Sequence, residues 1–147
     1  MGIEENLVLG KILHLYVRFP HQEESQNKYL VFVGIDSYSW PLLLKLNTEG
    51  NQPQVAQKFR EKQFKIKKSI YPCLDHDRFL DCGTVWYRLL TMDEIIRQVS
   101  KDNNRLGNDI INDHLREIVR LTNLSRSIEN RHKKIIEDSV NKKLSHA

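Results

Sequence analysis

At 147 residues, with 39% hydrophobic and 29% charged side chains and a net charge of +4, the chain is long enough to bury a working core without disulfides or metals. No uninterrupted apolar run approaches the ~20 residues that a membrane helix needs, so no membrane partner is expected. The charge is spread evenly, with 12 basic and 10 acidic side chains up to residue 90 and 11 and 9 beyond it, which leaves no basic tail.

In chain order, the opening MGIEENLVLGKILHLYV is acidic where a signal peptide is basic, and Lys11 and His14 break its apolar part. Asn6 stands where a myristoylation signal has Ser or Thr, and cytoplasmic residence is expected. From Gly10 the sequence alternates, with Leu13, Leu15, Val17 and Phe19 on one side and His14, Tyr16 and Arg18 on the other. That pattern predicts a half-buried strand. A polar loop over residues 21–27 leads into Tyr29 to Ile35 and then Pro41 to Asn47, joined by Asp36-Ser37-Tyr38-Ser39. These two runs predict an antiparallel hairpin whose ends, near residues 28 and 48, come together. Val31, Val33 and Ile35 share one face of it and Leu30 and Phe32 the other, so the hairpin is expected to cross the middle of a sheet.

Further along, VAQKFREKQ reads as a short helix and Phe64 to Ser69 as a fourth strand. Within KFREKQFKIKKSIY, residues 58–71, six Lys or Arg face one Glu, with Phe59, Phe64 and Tyr71 interleaved. Phosphate contacts with some base stacking look like this, and so does a solvated basic face; the nucleic-acid reading is placed first. Alternation sets Lys65 and Lys67 outward, and Arg18, Lys65, Lys67 and Lys68 are the candidate RNA contacts. A fifth strand runs from Arg78 to about Arg88, entered through the turn Asp75-His76-Asp77. Five short strands joined by loops predict an α+β fold built on a small, SH3-like β-barrel, followed by C-terminal helices.

Thr91-Met92-Asp93-Glu94 matches a capping box and starts a helix to about Ser100. KDNNRLGND reads as a breaker, and from Asn112 the residues Leu115, Ile118, Val119 and Thr122 keep helical spacing. After Ser125 the apolar residues thin to Ile128, Ile135, Ile136, Val140 and Leu144, a narrow stripe that would be marginal in isolation. The chain therefore divides into a barrel with its helices over residues 1–125 and a helical tail of the same domain over 126–147.

Cys73 and Cys82 form no CxxC motif and read as reduced thiols near a core. Six histidines, at 14, 21, 76, 114, 132 and 146, show no HExxH or HxH spacing, so no metal and no cofactor is expected. Phosphate-loop, GxSxG and Rossmann glycine motifs have no match either.

The hairpin end and the order of elements around it resemble the MazF/PemK family of toxin endoribonucleases over about residues 7–125. Leu9-Gly10-Lys11-Ile12-Leu13 resembles that family's glycine before the first strand. Lys28-Tyr29-Leu30-Val31-Phe32-Val33 falls where the family has Arg-Pro and an apolar run, and Leu42 to Leu46 with Asn47-Thr48 resembles the strand that ends in its catalytic Ser or Thr. Asp77-Arg78-Phe79-Leu80 to Val85 is similar to the late strand, and Arg105-Leu106-Gly107 before Asn112 to its final helical motif. The chain departs from the family at Lys28 and Tyr29, and again at Gly83-Thr84-Val85-Trp86, where the family has Gln followed by a basic residue.

The resemblance implies a metal-free endoribonuclease acting on single-stranded RNA, homodimeric and neutralised by an antitoxin. In such chemistry the ribose 2′-OH attacks the adjacent phosphate, which requires a base, a cation for the charge on phosphorus and an acid for the leaving oxygen. Lys28 matches the cation and Thr48 a hydrogen-bond donor to a phosphoryl oxygen. His21, in the loop before Lys28, is added here as acid or base from its position alone. The alternative is a catalytically decayed MazF-like fold serving as a protein-binding or regulatory module, followed by an RNA-binding domain without cleavage.

Overall fold

The computed structural model describes residues 8–48 and 62–145. Its strands are β1 (Lys11–Val17), β2 (Gln26–Ile35), β3 (Pro41–Asn47), β4 (Gln63–Ile66), β5 (Arg78–Tyr87) and β6 (Leu106–Asp109). Its helices are α1 (Met92–Lys101), α2 (Asn112–Leu124) and α3 (Asn130–Ser145). The six strands form one sheet in the order β4-β5-β3-β2-β1-β6, and every described pairing is antiparallel. The hairpin β2–β3 occupies the centre, as its two-sided apolar pattern predicts.

An α+β fold is therefore observed, but the sheet is open where a closed barrel was expected. The physical reason lies in what covers it. On one face Ile12, Val31, Leu42 and Leu44 form a core with Ile118 of α2 and Ile136 and Val140 of α3. On the other, Leu13, Leu15, Leu30, Phe32 and Leu43 form a second core with Met92 and Ile95 of α1. Helices supply the cover for both faces, so the sheet does not have to curl on itself to bury one.

The predicted breaker at residues 101–109 is also replaced by structure. Asp102 caps a 3-10 turn over Asn103–Arg105 by accepting from the Asn104 N–H, and the chain then runs along the free edge of β1 as β6. The short helix predicted over residues 55–63 lies largely outside the described residues; its end, Gln63, begins β4. The capping box is present, with the Glu94 N–H donating to the Thr91 hydroxyl at 3.1 Å.

The tail is not left free. Helix α3 packs on α2 and across β2, where a Cβ on Gly34 would stand 2.7 Å from Ile135 Cγ2. Glycine is what lets helix and sheet approach so closely. The register shifts between Phe32 and Gly34, and this bulge places Ile35 against the second core rather than on the face of Val31 and Val33. No helix among the described residues is long and apolar enough to cross a membrane.

Candidate functional site

Lys28 sits two residues inside β2 rather than at its entrance, paired with Leu15 of β1. Thr48 immediately follows β3 and is exposed. Both line one cleft of about 210 Å³, together with Lys45, Leu46, Asn47 and Arg78. The hairpin geometry thus brings the predicted pair together, with two further cationic side chains, Lys45 and Arg78, beside it.

Sheet register explains the cleft's composition. Lys45 pairs with Leu30 of β2 on one side and with Asp81 of β5 on the other, and Asn47 pairs with Phe79. Directly opposed residues share a face, so Lys28, Lys45, Asn47 and Asp81 lie on the face of the second core, at its open end. There the Lys45 ammonium stands 4.7 Å from the centre of the Phe19 ring. Burial holds the Lys45 pKa below its ordinary value, and the neighbouring Lys28 charge lowers it further against the pull of Asp81. Asp81 moves the other way: burial raises its pKa, opposed by the Gly83 N–H at 2.8 Å and by Lys45.

Arg78 is less free than its charge suggests. Its Nε and Nη2 donate to Asp75 at 3.2 and 3.0 Å, and its guanidinium lies 4.6 Å from the centre of the Tyr29 ring. The Tyr29 ring also stacks on His14, at 4.2 Å and 13°. With only 12% of its side chain exposed, Arg78 is a fixed wall of the cleft.

His21 does not join the cleft. Its exposed ring lies 6.3 Å from Phe19 and 6.2 Å from Trp86, and it is not among the residues that line the cleft. The basic segment is partly spoken for: Lys65 faces Asp77 at 3.7 Å, and Lys68 Nζ donates to the Leu74 carbonyl at 2.6 Å. Lys67 and Arg18 are exposed and have no side-chain partner among the described residues. Residues 58–61 of that segment lie outside the described part.

Sequence reasoning passed over Lys45, Asn47 and Asp81. The signal was present for one of them, because Lys45 is the only charge in the apolar strand PLLLKLN, where it breaks an otherwise buried run. Asp81 carried no such mark, since only the β3–β5 register sets it opposite Lys45. No protein-family model and no curated protein matches the chain.

Proposed function

We propose that this cleft binds the phosphodiester of single-stranded RNA and cleaves it in the manner implied by the resemblance to the MazF/PemK toxins. The observation that carries the reading is the convergence of Lys28, Lys45 and Thr48 on one phosphate-sized hollow at the hairpin end. A lysine desolvated enough to lose its proton more readily than usual is suited to act as a base. In this scheme the Lys45 amine takes the 2′-OH proton, the 2′ oxygen bonds to phosphorus, and the bond to the 5′ oxygen breaks. Lys28 neutralises the charge on the phosphorane, and the Thr48 hydroxyl donates to a non-bridging oxygen. A lysine ammonium of the same cleft returns a proton to the departing 5′ oxygen, and a cyclic phosphate remains. Lys45 thus replaces His21 as the base.

Inducible expression, with mapping of the 5′ ends of cellular RNA, tests the activity. New ends sharing a short sequence, absent when Lys28→Ala or Thr48→Ala is expressed, are expected; an unchanged set of ends overturns the reading. The homodimer and the antitoxin follow from the resemblance. The apolar residues on both faces of the hairpin are buried within the single chain by α1, α2 and α3. Sedimentation at micromolar concentration is expected to give twice 17.4 kDa, and a monomer removes the second subunit from the scheme.

A further inference from the structure

Arg78 reaches the cleft with donors that its partners leave unused. A guanidinium has N–H donors on all three of its nitrogens and accepts nothing. Arg78 Nε donates to Asp75 Oδ1 at 3.2 Å, and Nη2 to Oδ1 and Oδ2 at 3.0 and 3.2 Å. The remaining nitrogen, Nη1, has no hydrogen-bond partner among the described residues.

The group is also ordered in advance. Its central carbon stands 4.6 Å from the centre of the Tyr29 ring. That ring stacks on His14 at 4.2 Å, and its hydroxyl donates to the Cys73 carbonyl at 3.4 Å. A flexible lysine loses rotamer freedom when it meets an anion, whereas a guanidinium already held by a ring and a carboxylate loses little. Among the described residues, the cleft is lined by Lys28, Lys45 and Arg78 and by no carboxylate. Asp75 engages Arg78 through Nε and Nη2 and is not part of that lining. Three cations around one hollow repel one another until an anion enters it. Thr48 is the one hydroxyl of the lining, and a phosphodiester has two non-bridging oxygens, so one oxygen remains for a second donor.

We propose that Arg78 is a phosphate-binding residue of this cleft: Nη1 donates to the non-bridging oxygen that Thr48 does not engage, and Asp75 is the positioning residue that holds Nη1 toward it. The contact meets charge that the phosphate carries before the 2′-OH attacks, so it lowers KM and leaves kcat nearly unchanged. Lys28, by contrast, acts on charge that grows on the phosphorane. The inference rests on the RNA reading of the cleft.

Fluorescence anisotropy across a salt series tests it, with a labelled 2′-O-methyl RNA hexamer that keeps the phosphates and lacks the attacking hydroxyl. Arg78→Gln is expected to weaken binding roughly tenfold and to lower the salt slope by about 1. Arg78→Lys is expected to keep the parent's slope and recover only part of the affinity. With cleavable RNA, Arg78→Gln is expected to raise KM at nearly constant kcat. Asp75→Asn separates positioning from simple charge: it removes a negative charge beside the cleft, which by itself tightens RNA binding, whereas loss of positioning weakens it. Weaker binding is expected, and unchanged or tighter binding overturns the role of Asp75. An Arg78→Gln protein that binds as tightly as the parent, or more weakly at an unchanged slope, overturns the phosphate contact while the cleft stands on Lys28 and Thr48. Should Arg78→Gln fail to fold, Arg78→Lys decides, and full affinity in that variant overturns the role of the guanidinium. A parent that does not bind the hexamer overturns the RNA reading, and the proposal falls with it.

Discussion

Replacing Lys45 with methionine separates the chemistry of the cleft from its architecture. Methionine keeps an unbranched side chain of similar length beside Phe19, so the packing of the second core is retained. The ammonium's attraction to the Phe19 ring is lost, which is worth about 0.5–2 kcal/mol across exposed and desolvated sites. Removing a partly desolvated charge offsets part of that cost. At roughly 2–4 °C per kcal/mol for a domain of this size, the melting temperature is expected to move by a few degrees at most. Cleavage behaves differently, because a group acting on the charge or proton of the transition state is worth about 100- to 1,000-fold, or about 2.7–4 kcal/mol. Lys45→Arg sharpens the assignment: guanidinium keeps the charge but does not deprotonate, so it retains RNA affinity and loses cleavage. In single-turnover assays on a labelled RNA, the parent's rate is expected to rise with pH as Lys45 deprotonates, and the arginine variant to lack that limb. A methionine variant that stays folded and cleaves within threefold of the parent refutes the role given to Lys45.

Replacing Lys65, Lys67 and Lys68 together with Gln is expected to lower the slope of RNA affinity against salt by about 1 for each phosphate no longer neutralised; because Lys65 and Lys68 already hold protein partners, Lys67→Gln alone is expected to account for most of the change. Gly34→Ala drives a Cβ into Ile135 Cγ2 and is expected to cost roughly 1–3 kcal/mol, read by thermal unfolding, whereas an unchanged melting temperature would mean that α3 does not seat on β2. Burial leads the causes that lower the pKa of His14, His114 and His132. The unfolded chain therefore binds protons first as pH falls. Stability from these histidines is fully present above about pH 6.5 and is lost progressively below it, as pH drops through the folded values. Asp36 titrates lower: burial pushes its pKa up, but the Tyr87 hydroxyl at 2.5 Å and the Trp40 and Tyr38 N–H groups outweigh burial and depress it. Its contribution holds above about pH 3.9 and fades only below. A melting temperature that is flat between pH 7.5 and 5 contradicts the histidine assignment.

Most of the elements were legible because their residues carry a period. Alternation from Leu13 to Phe19 marked β1, the paired apolar runs marked β2 and β3, and Thr91 with Glu94 marked the start of α1. β6 was not legible, because Leu106-Gly107-Asn108-Asp109 has neither alternation nor β-branched residues; its strand conformation comes from the open edge of β1. Closure of the sheet was misjudged for a related reason. Which helices cover which face is a tertiary matter, and the thin stripe of α3 gave little notice that Ile136 and Val140 would reach the core. At the site, the hairpin sufficed to join Lys28 with Thr48, since a turn fixes which strand ends meet. It did not reveal Asp81, which depends on β5 returning beside β3, or that His21 would lie near Phe19 and Trp86, outside the lining of the cleft.

The most direct measurement of the central claim is incubation of the purified protein with a single-stranded RNA in EDTA, with the termini of the products identified. The account predicts fragments ending in a 2′,3′-cyclic phosphate and a free 5′-hydroxyl, abolished by Lys28→Ala and by Thr48→Ala and preserved or raised by Lys28→Arg. Intact RNA from the parent and from Lys28→Arg alike, in the absence of any antitoxin, contradicts it.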